Sequence, residues 1–393
     1  MALVTRVTGD CPKCGRADGF GKVEIFNGSY VYLGCKSCRY SERIPLPKLR
    51  KKVLYLDQFF FSHAFRGERP EYLKAAELIR SASALQLLVA PYSSIHEDET
   101  HLWQRREELF EFIKDTSRGH KFRYASDVEK TQMSKAFRAW LNEGPAAYHV
   151  EERDALRNNV HQWDGYMRVE VGRYLGDIEL IRELKGRSVE GLVDLFPGWR
   201  TLKTTFEQHL NQEYLVTAKG YFDAYREYFM RMVSGDADAF LSSPVISLVV
   251  QGMLRDFPSD VPEDQRLKVC VEFMTQSEHF RDIPSHYLSS RIYATVKDMV
   301  RQGSYAHRDK TLRIFNGFFH DVKHISTYAP YCDAFVMDTR MADIVKKPSV
   351  DLERKYGTMV FSENNWGALI AWLEALPAVI SDEHKRGLVA AYG

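Results

Sequence analysis

The chain has 393 residues, of which 45% are hydrophobic and 27% charged, so it can bury a large core and form two or three structural units. Its 54 basic and 53 acidic residues nearly cancel, which excludes binding to nucleic acid through a strongly positive overall field. Any such affinity must come from a local patch. Because the sequence shows no long apolar run, lipidation motif or secretory signal, we expect a cytoplasmic protein without a membrane partner.

Two C-x-x-C pairs stand near the start of the sequence, about twenty residues apart, which is the spacing of a closed four-thiolate zinc site. Between them, the strand-like segments KVEIF and YVYLG flank Asn27 and Gly28, a dipeptide typical of tight hairpin turns. We therefore expect a zinc ribbon over residues 1–48, in which Zn²⁺ supports a unit too small for its own core. The alternative is a ribbon surface that recognises nucleic acid or protein. The expected zinc ligands are Cys11, Cys14, Cys35 and Cys38.

Three apolar runs far apart in the chain end near acidic residues. VLYLD ends at Asp57, LQLLVA is followed by Glu97 and Glu99, and YCDAFVMD contains Asp333 and Asp338. Such runs indicate buried strands of an open α/β sheet, whose functional groups lie beyond the carboxyl ends of the strands. Gathered carboxylates repel one another unless a divalent cation is present, and oxygen ligands favour Mg²⁺ or Mn²⁺. Alternatively, each acid only caps the helix that follows its strand.

Helical patterns fill most of the remaining sequence. The segment at 70–82 begins with proline and is expected to be helical, and a second helical stretch covers about 94–115. Between roughly 120 and 300, strand signals are nearly absent, which predicts a large α-helical insertion whose aromatic and Met residues form a helix core. Its longest helical patterns cover 127–143, 149–175 and 205–233.

Four segments of the chain resemble the PIN-domain nucleases, metal-dependent enzymes that cut RNA or sometimes DNA. KKVLYLDQ is similar to the first strand and acid, PYSSIHEDET to the second-acid segment, YCDAFVMDTRM to the third and fourth acids, and GTMVFS with ENNWGALIAWLEAL to the closing strand and helix. In the second-acid segment, the spacing from Ser93 favours Glu99 over Glu97. The resemblance implies that one or two Mg²⁺ or Mn²⁺ ions are held by Asp57, Glu99, Asp333 and Asp338.

The short gap between Asp333 and Asp338 resembles that of larger PIN-like proteins, which often carry an extra acid in an upstream D-x-x-H segment. The residues from Asp321 to His324 fit this segment, so Asp321 is expected to be a fifth ligand or its supporting partner. The two residues that directly follow Asp338 would point into the same cleft and could contact substrate. The additional candidates are therefore Glu97, Asp321, Thr339 and Arg340.

We therefore expect a mixed α/β protein with an N-terminal ribbon, a PIN-like parallel-sheet core divided between 49–119 and 285–393, and a helical insertion at 120–284. The implied function is metal-dependent endoribonuclease, with RNA as partner and with a regulatory protein or a second copy left open. Large PIN-like proteins resemble toxins or defence effectors. This predicts that expression harms cells and that Asp57→Asn relieves the harm.

Two other functions remain open. A DNA nuclease of the same fold would cut DNA and not RNA. A non-catalytic zinc-ribbon scaffold is favoured by the near-neutral charge, but a scaffold has no reason to keep repelling carboxylates together. A phosphatase of the haloacid dehalogenase type is set aside because it needs a second Asp two residues after the first, where this chain has Phe59.

Overall fold

A computed structural model describes residues 2–101, 103–165, 188–236, 238–239, 246–257 and 261–393. The fold is mixed α/β, as expected, and contains a parallel four-stranded sheet and a separate antiparallel sheet. Residues 166–175 of the helical pattern predicted at 149–175 lie outside the described ranges.

The antiparallel sheet is formed by the N-terminal segment, in the order β1-β2-β3-β4. The predicted hairpin is confirmed: β2 pairs with β3 around a turn in which Asn27 and Gly28 have φ angles of 48° and 60°. Both residues lie in the left-handed region, which matches the right-handed twist of the two strands. The strands are β1 (Arg6–Gly9), β2 (Phe20–Phe26), β3 (Tyr30–Cys35) and β4 (Ser41–Pro45).

The parallel sheet has the order β6-β5-β7-β8, and the first of these strands in the chain, β5, lies between β6 and β7. In its register Leu54 lies beside Ala334, which lies beside Met359. Parallel strands covered on both faces are continuously apolar, and β7 is buried along its whole length. The strands are β5 (Lys52–Leu56), β6 (Leu88–Val89), β7 (Ala334–Val336) and β8 (Met359–Phe361).

Alternate residues of β5 point into two different cores, as the twofold periodicity of a strand requires. Val53 and Tyr55 belong to one core, and Leu54 and Leu56 to the other. The helices around the sheet are α1 (Gln58–Arg66), α2 (Pro70–Ala84), α3 (Ser94–Thr100), α4 (Arg106–Ser117), α11 (Pro284–Arg301), α12 (Arg308–Ile314), α13 (Phe318–Tyr328), α14 (Thr339–Val345), α15 (Leu352–Tyr356), α16 (Trp366–Ala375) and α17 (Asp382–Tyr392).

The central part of the chain is helical and has a separate core, in which Phe137, Phe273 and Phe280 pack together. The patterns at 127–143 and 205–233 correspond to observed helices, one of which extends over 28 residues. The helices of this region are α5 (Ala125–Leu141), α6 (Phe196–Arg200), α7 (Phe206–Val233), α8 (Ser247–Arg255), α9 (Glu263–Gln276) and α10 (Glu278–Asp282).

The helix predicted over 149–175 is wrong for the residues that the structure describes. Residues 149–165 contain only one 3-10 turn, Glu152–Asp154. Tertiary contacts override the helical pattern here. Leu156 forms an antiparallel bridge with Phe122, and the Trp163 indole donates to the Pro47 carbonyl at 2.8 Å within the core of the ribbon.

No helix in the described part of the chain combines the length and apolar character that crossing a membrane requires.

Candidate metal centre

Carboxylates converge at the carboxyl edge of the parallel sheet, where the strand order changes direction. Asp57 directly follows β5, and Asp338 lies two residues after the end of the adjacent β7. In α/β sheets, connections leave in opposite directions on the two sides of such a switch point, which opens a crevice beyond the strand ends. The sheet therefore brings together two acids that lie 281 positions apart in the sequence.

Both acids also cap the helices that follow them. Asp57 Oδ1 accepts from the Gln58 amide at 2.6 Å, and Asp338 Oδ1 accepts from the Met341 amide at 2.9 Å. These hydrogen bonds fix the orientation of each carboxyl group at the start of α1 and α14. Capping and convergence are therefore compatible, because each capping bond uses only one oxygen of its carboxylate, Oδ1.

The third member of the cluster is Asp321, in the first turn of α13. This helix begins after Gly317, whose φ of 87° favours glycine, and its first turn lies over the sheet edge. One carboxylate oxygen from each of Asp57, Asp321 and Asp338 lies within 4.8 Å of the others. The D-x-x-H segment thus supplies an acid to the cluster. His324 of the same segment bonds to the buried Tyr55 hydroxyl beneath it.

Helix α3 orients its two candidate acids differently. Glu97 accepts from Lys121 Nζ at 2.8 Å and lines a neighbouring cavity. Glu99 is near enough to Asp57 and Asp321 to raise the pKa of both carboxyl groups. Of the two acids, the structure therefore brings Glu99 towards the cluster.

His96 fastens α3 to the end of β5. Its Nδ1 accepts from the Ser93 amide at 2.9 Å, so its Nε2 carries the proton and donates to the Leu56 carbonyl at 2.8 Å. Burial lowers the pKa of His96 to about 4, so the ring is neutral at physiological pH. Because both ring nitrogens are used by the backbone, His96 positions the helix that carries Glu99 and does not face the carboxylates as a ligand.

Arg340 places a positive charge beside the cluster. Its Nη2 donates to Asp321 Oδ2 at 2.7 Å and to Asp338 Oδ2 at 3.2 Å. The guanidinium lies 5.6 Å and 5.9 Å from the ring centres of Phe315 and Phe318, within the range of a cation–π contact. Arg340 Nε and Nη1 are buried without a hydrogen-bond partner among the described residues. Thr339 is partly exposed and begins α14 beside it.

Arg340 offsets only part of the negative charge. Burial raises the pKa of Asp57 well above its ordinary value of 3.8, and the Glu99 and Asp338 carboxylates raise it further. Burial, Asp57 and Asp338 also raise the pKa of Asp321, although Arg340 acts in the opposite direction. A group of converging carboxylate oxygens with residual repulsion fits a hard divalent cation, and it lacks the nitrogen and sulfur ligands that favour softer metals.

Asp333 lies at the other end of the strands, at the amino edge of the parallel sheet. It precedes β7, and its carboxylate accepts from Lys52 Nζ and from the Val53 amide, both at 2.8 Å. Five residue steps of extended chain, about 3.3 Å each, separate it from Asp338, so the two side chains lie on the order of 15 Å apart. The expectation that both acids belong to one cluster is therefore corrected: a strand intervenes between them.

The four cysteines of the N-terminal sheet form a second cluster, as expected. Cys11 and Cys38 Sγ atoms are 3.8 Å apart, those of Cys14 and Cys35 are 3.7 Å apart, and all four lie within 4.8 Å of one another. Amides of Ser37 and Cys38 donate to Cys35 Sγ, and these bonds lower its pKa to about 6. The cluster can hold a metal ion such as zinc.

No protein-family model, curated protein sequence or solved structure matched the chain.

Some residues near the centre carry signals that the sequence analysis did not use. Phe315 and Phe318 flank Gly317 and pack around Arg340, but their spacing alone indicates only an ordinary apolar helix face. The HKFRY segment ending at Tyr124 interleaves basic and aromatic residues, which is a recognised feature of nucleic-acid contacts. Its Lys121 and Tyr124 line the cavity beside α3.

Proposed function

We propose that the protein is a metal-dependent endoribonuclease with a PIN-like core. The observation that carries this proposal is the convergence of Asp57, Asp321 and Asp338 within 4.8 Å at the switch point of the parallel sheet. With Glu99 beside them, these acids would hold Mg²⁺ or Mn²⁺. Asp333 is left out of the proposed ligand set because it is engaged at the other edge of the sheet.

Each part of the site has a separate task. A divalent cation bound there would activate water and stabilise the charge that develops on a phosphodiester. Asp57 and Asp338 orient the ligand set because their capping bonds hold them rigidly. A cation that binds Asp321 and Asp338 would displace Arg340 from these two carboxylates. The guanidinium, which packs against Phe315 and Phe318, would then be available to the anionic phosphate.

The four-cysteine cluster is proposed to bind Zn²⁺ as a structural ion. Its ligand set is closed, with no open position for substrate. The sheet that carries it also packs on the C-terminal helix: Arg6 donates to the Tyr392 carbonyl at 2.7 Å, and Lys22 donates to the Ala391 carbonyl. Zinc would therefore stabilise a unit that is joined to the rest of the protein.

The test is cleavage of mixed cellular RNA and of single-stranded DNA by the purified full chain, with Mn²⁺, with Mg²⁺ and without added divalent ion. Asp57→Asn and Asp338→Asn are the matched variants, because asparagine keeps the helix-capping oxygen while removing the charge. We expect metal-dependent RNA cleavage that each substitution lowers by at least about a hundredfold, the range found when a group that stabilises transition-state charge is removed.

Three results would contradict the proposal. Cleavage of DNA without cleavage of RNA would reassign the substrate. Cleavage that survives both substitutions would place the chemistry elsewhere. Absence of cleavage, together with absence of Mn²⁺ binding at the carboxylates in calorimetry, would favour the scaffold function.

A further inference from the structure

A cavity of about 760 Å³ lies next to the candidate metal centre. The two sites share walls. Helix α3 presents Glu97 to the cavity, and α13 presents His320 to the cavity while the next residue, Asp321, belongs to the cluster. A polymer that places one phosphate at the carboxylates could therefore place an adjoining nucleotide in this cavity.

The walls of the cavity combine aromatic rings with lysines. Tyr124 is 53% exposed, whereas Tyr92, in the same lining, is buried. Lys121 Nζ lies 5.0 Å from the Tyr124 ring centre and 5.4 Å from that of Tyr92. Lys114 Nζ lies 4.5 Å above the Phe110 ring. Such an exposed ring offers a flat surface on which a planar ligand can stack.

The lysines of the cavity are already paired, which limits what they can bind. Lys121 has a side chain only 6% exposed and donates to Glu97 at 2.8 Å, and Lys114 donates to Glu111 at 3.1 Å. Lys323 pairs with Glu129. The cavity therefore has little uncompensated positive charge with which to attract a polyphosphate.

One acceptor group of the cavity, by contrast, has no partner among the described residues. Glu107 is exposed at the cavity and forms no ion pair or side-chain hydrogen bond with the residues that the structure describes. Carboxylates accept hydrogen bonds from the exocyclic amino groups of bases, as in the pairing of Glu or Asp with the amino group of cytosine. Uracil has no such amino group.

We propose that this cavity binds a nucleobase of single-stranded RNA next to the cleaved phosphate, by stacking on Tyr124 and by hydrogen bonding of an exocyclic amino group to Glu107. The inference rests on the proposed function, and it adds that adenine and cytosine are preferred to uracil. A base that stacks on Tyr124 and bonds to Glu107 cannot also be paired within a duplex, so the cavity selects single strands.

The test measures fluorescence anisotropy of labelled ten-nucleotide oligomers of adenosine, cytidine or uridine with the full-length Asp338→Asn protein, without added Mg²⁺ or Mn²⁺. Tyr124→Ala should weaken binding of the adenosine oligomer about tenfold, and Tyr124→Trp should preserve it. Phe229→Ala is the matched control, because Phe229 is similarly exposed, at 51%, but lies on α7 outside the cavity lining. Glu107→Gln should reduce the preference for adenosine and cytidine over uridine.

Unchanged binding by Tyr124→Ala, equal binding of all three oligomers, or no binding of any would overturn the proposal. These results are separable from the nuclease test. Base-selective binding without metal-dependent cleavage would support the cavity and refute the enzyme, whereas cleavage by the wild type with no effect of Tyr124→Ala on binding would refute the cavity alone.

Discussion

Arg340 is the residue on which the charge balance of the centre depends. Its Nη2 bonds both Asp321 and Asp338, and it holds the only positive charge that the described residues place on these two carboxylates. A divalent cation at the same oxygens would have to compete with it. Arg340 therefore stabilises the metal-free protein and weakens metal binding at the same time.

This competition gives a prediction for Arg340→Met, which keeps an apolar chain against Phe315 and Phe318 but removes the charge. Without added Mn²⁺ the variant should lose about 1.5–3 kcal/mol of unfolding free energy, the range for hydrogen bonds to charged groups. Its Mn²⁺ affinity should rise on the order of tenfold, because a nearby positive charge is gone. Calorimetry with Mn²⁺ and thermal unfolding measure the two effects, and Arg340→Lys, which keeps the charge, is the control. Weaker Mn²⁺ binding by the Met variant would show that Arg340 does not compete with the ion.

The carboxylates also predict how stability depends on pH. The folded-state pKa of Asp57 lies well above 3.8, so as pH rises from about 3.8 towards the raised value, the unfolded chain releases a proton that the folded chain retains. The metal-free wild type should therefore lose stability across that window. Asp57→Asn should therefore be more stable than wild type at pH 7, and the difference should shrink towards pH 4.

The measurement is chemical denaturation of both proteins from pH 4 to pH 8 without Mg²⁺ or Mn²⁺. Added Mn²⁺ should reverse the order at neutral pH, because only the wild-type ligand set gains the full stabilisation of a bound ion. A wild type that remains the more stable protein at pH 7 without metal would contradict the repulsion on which this prediction depends.

Sequence reasoning named Asp57, Asp321 and Asp338, which the structure brings together, but could not rank the candidate acids by position. Asp57 and Asp338 follow strands of continuously apolar sequence. Because the carboxyl ends of parallel strands lie at the same edge of a sheet, the sequence predicts that these two acids lie close together. The same run contains Asp333, whose position relative to the strand depends on where a strand of only three residues begins. Asp321 lies on a helix, so its approach to the sheet depends on tertiary packing that no local pattern carries.

At the scale of elements, the buried imidazole ring of His96 positions helix α3, which carries the candidate ligand Glu99. His96 joins the Ser93 amide to the Leu56 carbonyl, and both partners would be left buried and unpaired without it. The short helix has seven residues, so its position depends on such tertiary bonds more than on its own helical stability.

We therefore predict that His96→Ala lowers the unfolding free energy by about 2–4 kcal/mol, because it leaves unsatisfied backbone groups and a cavity. It should also weaken Mn²⁺ binding, since Glu99 is carried by the same helix. His286→Ala is the matched control: this buried histidine bonds Tyr221 and the Phe280 carbonyl, away from the carboxylates, and burial likewise lowers its pKa to about 4. The control should lose stability with Mn²⁺ affinity unchanged. Equal Mn²⁺ affinities in the two variants would refute the positioning role of His96.

Helix and strand patterns predicted most elements but failed over 149–165. There, long-range contacts outweigh local preference, since Leu156 bridges Phe122 and Trp163 fills the ribbon core. The helices predicted at 127–143 and 205–233 do form, because their apolar faces pack onto other helices. The pattern therefore succeeds where a helix face is the buried surface and fails where single side chains anchor an irregular segment.

At the scale of the whole molecule, the cysteine cluster and the carboxylate cluster belong to different sheets. The ribbon core includes Trp163 and Ala391, and its contacts are with the C-terminal helix and the connecting segments. None of its core residues among those described belongs to the two cores that flank the parallel sheet. The two proposed metals should therefore act independently.

Cys14→Ser tests this independence. The variant should lose bound zinc, measured by elemental analysis, and unfold at a lower temperature, because a closed four-thiolate site contributes folding free energy. Its Mn²⁺ affinity at the carboxylates should remain within about twofold of wild type. Cys270→Ala is the control, since this buried thiol lies in the core of the helical region and should leave zinc content unchanged. A large loss of Mn²⁺ affinity on loss of zinc would show that the two sites are coupled.

The most direct test of the proposed centre compares substitutions at two acids. The sequence ranks Asp333 among the four main ligands and Asp321 as an additional candidate, whereas the fold places Asp321 in the cluster and Asp333 outside it. Asp321→Asn and Asp333→Asn should be compared by Mn²⁺ calorimetry and by metal-dependent RNA cleavage. We predict that Asp321→Asn weakens Mn²⁺ binding at least about tenfold and suppresses cleavage, since it removes a converging ligand. Asp333→Asn should lose stability through its bonds to Lys52 and Val53 while retaining both Mn²⁺ binding and cleavage. The opposite pattern would contradict a metal centre at the switch point of the sheet.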